Sequence, residues 1–274
     1  MNLVMTLCMN YCYEIFERFV GSLLDNVNTD LIIFISINDI IHCEKLKEKY
    51  KGLNYEVVDN KNEHVVNYRF KMYYDYLKEC NINYEYIFLC DSRDVLFQKD
   101  IFTHKLLENN SDLYIFEEES GVLTVDLCRF NSMYIDRSGL DINDIIYDKK
   151  ILCVGTILGK MNGIMRYLYE FNNILYNVVE ERNRVYYGTD SGVNYNIIYG
   201  NKLDDLDICV SKNVDGLVYT VAFANHLGFI DKDKLLNCRN MICKDDSEVY
   251  CVHQYDRFDD DIKKKMSVKY NFVL

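Results

Sequence analysis

The chain has 274 residues, 49% of them hydrophobic and 14% aromatic, enough for a sizeable core, which excludes a disordered protein. Its 31 basic and 43 acidic residues leave a formal net charge of −12, which excludes a surface built to neutralise nucleic acid or an anionic membrane. An anionic substrate in such a field needs a local cation, either a metal ion or a guanidinium group.

In chain order, Leu3 to Cys8 reads as a strand, Tyr13 to Leu24 as a helix, Leu31 to Ile37 as a strand, Ile41 to Tyr50 as a helix and Tyr55 to Val58 as a strand. Val66, Phe70, Tyr73 and Leu77 then mark one face of a helix over Val65 to Leu77. This βαβ rhythm predicts an α/β fold with a mostly parallel sheet flanked by helices. After Asp94 the pattern loosens: a short strand from Leu113 to Phe116, the acidic run Glu117 to Glu119, and a polar stretch around Asp136 to Asp148. Ile151 to Leu158 reads as a strand, Ile164 to Val178 as the cleanest amphipathic helix, and Asp190 to Ile198 as a short helix. In the tail, Asp259 to Asp261 precede Lys263 to Lys265 at i to i+4 spacing, the pattern of an exposed helix. No Gly/Ser-rich linker divides residues 1–274, so a single domain is expected.

The 11 cysteines are scattered and odd in number, with no CxxC pair, and read as reduced thiols rather than disulfides or a zinc site. No basic segment precedes the N-terminal apolar stretch, and no run approaches the ~20 apolar residues of a membrane span. A soluble, cytoplasmic protein with no membrane span is the expectation.

The densest chemistry lies in Tyr86 to Phe97, where an apolar strand runs into Asp91-Ser-Arg-Asp94. A continuous apolar run suits a strand covered on both faces, and ligands of parallel sheets bind beyond the carboxyl ends of such strands. Two carboxylates there imply a cation, because a buried acid without a partner costs several kcal/mol, to order of magnitude. Arg93 between them serves either a phosphate or its acidic neighbours.

With that turn in view, the chain resembles nucleotide-sugar-dependent glycosyltransferases of the GT-A fold. His64-Val-Val-Asn-Tyr-Arg-Phe70 looks like the family helix that brings a basic residue to the nucleotide, and Cys153-Val-Gly-Thr-Ile-Leu-Gly159 resembles its sugar-side loop. Gly188-Thr-Asp-Ser-Gly-Val-Asn194 resembles a later acidic motif, and Val252-His-Gln-Tyr-Asp-Arg257 a C-terminal histidine motif. The usual Asp-x-Asp is Asp-x-x-Asp here.

The resemblance implies a Rossmann-like nucleotide-binding half over residues 1–100 and a smaller mixed sugar and acceptor half over 101–274. It implies transfer of a sugar from a nucleoside-diphosphate sugar, UDP-linked, to a sugar or glycan hydroxyl, with Mn²⁺ or Mg²⁺ offsetting charge on the diphosphate leaving group. Asp94, Asp91 and His253 are the implied metal ligands, Asp91 being equally suited to a ribose hydroxyl; the imidazole favours manganese. Read without the resemblance, His253 is by default a satisfied structural residue. Asn10 and Tyr11 would meet the base, and Arg69 and Arg93 the diphosphate. Gly155 and Thr156 would face the donor sugar, although a glycine there also suits a simple bulge. Asp190 is the first candidate for a catalytic or sugar-orienting carboxylate, or else caps its helix; Glu117, Glu118 and Glu119 are second candidates.

Three rivals remain to be weighed. A sugar-nucleotide nucleotidyltransferase needs a Gly-rich phosphate loop after its first strand, where this chain has Met9-Asn-Tyr-Cys12. An aspartyl phosphatase wants its acid pair two residues apart after that strand. A catalytically reduced carbohydrate- or nucleotide-sugar-binding protein of the same fold has no need of Asp94, Asp190 and His253 together.

Overall fold

The computed structural model describes residues 1–59, 64–118, 121, 123–183, 185–228, 230–231 and 233–266. Its first part comprises β1 (Leu3–Leu7), α1 (Tyr13–Asn26), β2 (Asp30–Ile35), α2 (Ile40–Lys47), β3 (Leu53–Val57), α3 (Val65–Glu79), β4 (Tyr86–Asp91) and β5 (Val95–Phe97). The middle contributes β6 (Leu113–Glu117), α4 (Arg129–Ser138), α5 (Asn143–Ile146), β7 (Leu152–Lys160), α6 (Met161–Ile174) and α7 (Thr189–Tyr199). The last part adds β8 (Ile208–Ser211), β9 (Val218–Thr220), α8 (Ala222–His226), the short pair β10 (Cys243–Lys244) and β11 (Ser247–Glu248), then β12 (Cys251–His253) and α9 (Asp260–Met266).

Seven strands form one sheet in the order β3-β2-β1-β4-β7-β6-β8. Every neighbouring pair is parallel except the two made by β7, so the sheet is mostly parallel with one reversed strand. The continuous apolar strands follow from cover on both faces. Leu3, Met5, Ile87 and Leu89 point into a core shared with α3, α6 and α7, while Val4, Phe88 and Cys90 point into a second core under α1. Phe16, Phe19, Val20 and Leu23 form the buried stripe of α1, and Phe70 of α3 stacks on Phe171 of α6 with ring centroids 3.8 Å apart.

The order also opens a crevice at the sheet's carboxyl edge. From β1 the chain moves outward to β2 and β3, then returns through α3 to β4 on the other side of β1. The carboxyl ends of β1 and β4 therefore flank a topological switch point, the place where open α/β sheets leave a crevice.

A second, three-stranded sheet, β5-β12-β9, lies beyond that end, with β12 antiparallel to β5 and parallel to β9. Its strands are three residues each, too short to carry a periodic signal in the sequence. The polar stretch around Asp136 to Asp148 holds the end of α4 and all of α5; α4 escaped pattern reading because it buries Asn131 and Ser138 along with Ile135. The long amphipathic helix ends at Ile174 and continues as a π-helical turn, Leu175–Glu180. Among the described residues no helix is long and apolar enough to cross a membrane, and all the cysteines are free.

Candidate metal centre and its cavity

The acidic turn is fixed from several directions. The Ser92 hydroxyl donates to the Leu7 carbonyl at 2.8 Å and the Thr6 hydroxyl to the Cys90 carbonyl at 2.8 Å, which ties the ends of β1 and β4 together. The Tyr255 hydroxyl donates to the Arg93 carbonyl at 2.5 Å, and Arg18, lying over the Tyr255 ring, donates to the same oxygen at 3.4 Å. The Asp94 carbonyl accepts the Gln254 N–H at 2.7 Å. Strand β12 sets His253 opposite Val95, so the small sheet carries the histidine directly onto the turn.

Asp91, Asp94 and His253 place one ligand atom each within 4.8 Å of one another. The His253 Nδ1 meets Cys153 Sγ at 3.2 Å, which orients the ring and leaves Nε2 toward the acids. Nε2 stands 3.6 Å from Asp91 Oδ2 and 3.8 Å from Asp94 Oδ1, beyond hydrogen-bond distance, and is buried with no hydrogen-bond partner. A buried ring nitrogen that makes no hydrogen bond and faces two carboxylates is a donor set suited to a cation.

Gly155 supplies the room. In the antiparallel register of β4 and β7, Cys90 faces Thr156, so the next step brings Gly155 against Asp91. Beside it the β6–β7 ladder slips between Ile115 and Phe116, so the glycine does sit at a strand irregularity. A β-carbon there would come within 2.6 Å of Asp91 Oδ2 and 2.9 Å of His253 Nε2, filling the space the three ligand atoms face. The donor set and the cradle therefore fit a divalent ion.

The charges agree. Burial alone would raise Asp91, but Arg69, His253 and Arg93 outweigh it and hold its carboxyl below the usual range. Burial, reinforced by Asp91 and Asp256, lifts Asp94 above its usual value against the pull of His253 and Arg93. Burial would also lower His253; the Cys153 sulfur and the carboxylates of Asp91 and Asp94 overcome it and hold the imidazole well above its ordinary value. Without a metal the cluster draws in a proton.

The cluster opens on a cavity of about 640 Å³ at the switch point. Tyr11, Arg69, Asp91, Arg93, Asp94, Gly155, Asp190 and His253 all line it. Asn10 does not: its backbone is left-handed at φ 59°, and its side-chain oxygen accepts the Ser36 hydroxyl at 3.3 Å. Thr156 does not line it either, since its buried hydroxyl turns to Cys153 Sγ at 3.7 Å. Arg69 bridges Asp91 and Asp190, each at 3.4 Å, and donates to the Val66 carbonyl at 2.7 Å, so it is a buried strut between carboxylates. Arg93, nearly half exposed, reaches Asp256 at 3.1 Å and Asp94 at 3.4 Å.

Asp190 sits in the first turn of α7, but the cap position is Gly188. The Asp190 N–H goes to Asn67 Oδ1 at 2.9 Å, and its own carboxylate faces Arg69 and accepts the Ser191 N–H at 3.0 Å. Burial raises it, opposed by Arg69. Of the acidic run, Glu118 alone lines the cavity; Glu117 is half-buried away from it, and Glu119 lies outside the described residues. Phe130, Asn131, Tyr134, Tyr187, His226 and Arg257 also line the cavity. Pattern reading passed over all but Arg257, because α4 and α8 carry no motif; Arg257 was visible only as the end of the histidine motif.

No protein-family model matches this chain, and no curated protein matches it.

Proposed function

We propose that the chain is a metal-dependent glycosyltransferase of the GT-A type, moving a sugar from a nucleoside-diphosphate sugar, UDP-linked, to a sugar or glycan hydroxyl. The observation that carries this reading is the cluster of Asp91, Asp94 and His253, whose Nε2 makes no hydrogen bond, with Gly155 keeping the space beside it clear in a switch-point cavity. Each of the five sequence motifs that resemble the family contributes residues to that cavity.

Asp91, Asp94 and His253 would hold Mn²⁺ in preference to Mg²⁺, the imidazole being the deciding ligand. When bound, the ion supplies neutralisation of the charge that develops on the departing diphosphate. Asp91 also lies where a ribose hydroxyl can donate to it. Arg93 stands at the rim and can exchange Asp256 for a phosphate oxygen. Tyr11, half-buried at the end of β1, offers a ring face to the base. Arg69 fixes the spacing of Asp91 and Asp190, so that Asp190 presents a carboxylate to a sugar hydroxyl from a rigid helix start.

With a net charge of −12 on the chain, the donor should bind only in the presence of the cation. The test incubates the protein with Mn²⁺ and a panel of sugar nucleotides, following thermal shift and nucleotide release, beside Asp94→Asn. Stabilisation and release by one donor, both abolished in the variant, are expected. If no sugar nucleotide stabilises the protein, the reading falls; binding without release would instead mark a sugar-nucleotide-binding protein of the same fold.

A further inference from the structure

We propose that Glu118 selects the donor sugar, its buried carboxyl hydrogen bonding to hydroxyl groups of the transferred ring. The inference rests on the glycosyl-transfer reading and adds to it a specificity-determining residue.

Glu118 follows the last residue of β6, where its backbone N–H donates to the Ile151 carbonyl at 2.9 Å. Its side chain lines the cavity and is only 9% exposed. Among the described residues it has no hydrogen bond and no ion pair. Asn131, which lines the same cavity, is engaged elsewhere, donating to Cys128 Sγ at 3.1 Å and accepting the Tyr195 hydroxyl at 2.8 Å. A carboxyl so placed is costly unless something in the cavity meets it.

The chemistry of that something is constrained. An acid repels a phosphate, and the metal cluster and Arg93 are the groups of this cavity suited to a phosphate. What Glu118 faces must be polar and uncharged, which in a nucleoside-diphosphate sugar means the sugar hydroxyls. Burial lifts its pKa to about 7, against the influence of His253, so near neutrality the group can be a carboxylic acid with one O–H to give and a carbonyl oxygen to accept. A protonated carboxyl can therefore serve two adjacent hydroxyls at once. Phe130, Tyr134 and Tyr187 line the same cavity and offer rings to the apolar face of a pyranose.

The experiment measures Mn²⁺-supported binding of UDP, of a panel of UDP-hexoses and of their deoxy analogues to the parent protein, Glu118→Gln and Glu118→Ala. Thermal unfolding verifies that each variant is folded, and the near-isosteric Gln variant carries the test if the Ala variant does not fold. UDP should bind all forms equally, while the preferred UDP-hexose loses tenfold or more in the Ala variant and less in the Gln variant. One deoxy analogue should lose a similar factor in the parent, and that penalty should vanish in the Ala variant. Equal weakening of UDP and UDP-hexose, or of neither, overturns the role of Glu118. If the parent protein binds no nucleoside diphosphate at all, the glycosyl-transfer reading itself fails, an outcome distinct from the first.

Discussion

The α-carbon of Gly155 is placed so that any side chain on it would lie within 2.9 Å of the His253 Nε2. The two residues are nearly a hundred positions apart, yet the absence of one side chain is the condition for the other to face a cation.

Gly155→Ala should therefore abolish Mn²⁺ binding while the fold persists, because the added methyl group invades the ligand space and not a packed core. Titration of Mn²⁺ with thermal shift as readout checks this. An alanine variant that binds Mn²⁺ as tightly as the parent would remove the metal centre from consideration.

Asp94→Asn should separate metal affinity from metal-free stability. Losing a charged ligand is expected to cost at least tenfold in Mn²⁺ affinity, whereas the metal-free protein, relieved of repulsion with Asp91, should melt no lower than the parent. Paired melting curves with Mn²⁺ and with a chelator decide it.

Proton and metal compete for His253. Its folded-state pKa is raised above the ordinary value of 6.5, so in the metal-free protein its contribution to stability is complete below that value and is lost as pH rises through the folded one. Mn²⁺ affinity should run the opposite way, climbing with pH as Nε2 gives up its proton. Isothermal titration at several pH values, with proton release followed in two buffers, tests the sign.

Glu118 predicts a second pH effect, caused chiefly by its burial. An acid whose folded pKa is raised to about 7 from 4.5 keeps its proton in the folded state after the unfolded chain has lost it, so stability falls as pH rises across that window. The fall is roughly 3 kcal/mol by linkage, to order of magnitude. Glu118→Gln should flatten it, leaving the melting temperature near parental at pH 4 and higher at pH 8.

Tyr255→Phe removes the hydroxyl that holds the Arg93 carbonyl. A stability loss of ~1 kcal/mol is expected from the single bond, along with weaker Mn²⁺ binding because the turn carrying Asp94 loosens. Denaturant unfolding and Mn²⁺ titration measure the two effects separately.

Much of this was readable from residue order alone. The apolar run ending at Asp91 announced a doubly covered strand, and Phe16, Phe19 and Leu23, or Phe70, Tyr73 and Leu77, announced helices by their spacing. What periodicity cannot show is pairing between short segments far apart. The three-residue strands that bring His253 beside Asp94 have no pattern of their own, and the placement of Asp190 depends on Asn67, more than a hundred residues earlier. Asn10 and Thr156 had the right chemistry beside the right motifs, but the Ser36 hydroxyl and the Cys153 sulfur, three residues back on the same strand, claimed their side chains. Glu118 read as one of three equivalent second candidates, and only the fold buries it on the cavity lining.

The three-stranded sheet also changes what occupancy of the centre would mean. Asp91 closes a strand of the large sheet, while His253 belongs to the small one, so a single ion would add a tie between two sheets that already meet at the turn Ser92 to Asp94 and through Phe97, Val218 and Cys251 in the core under α1. Loading the site should then slow amide exchange along β9 and β12 far more than along β2 and β3. Read in reverse, any displacement of β12 relative to β4 would discharge the metal.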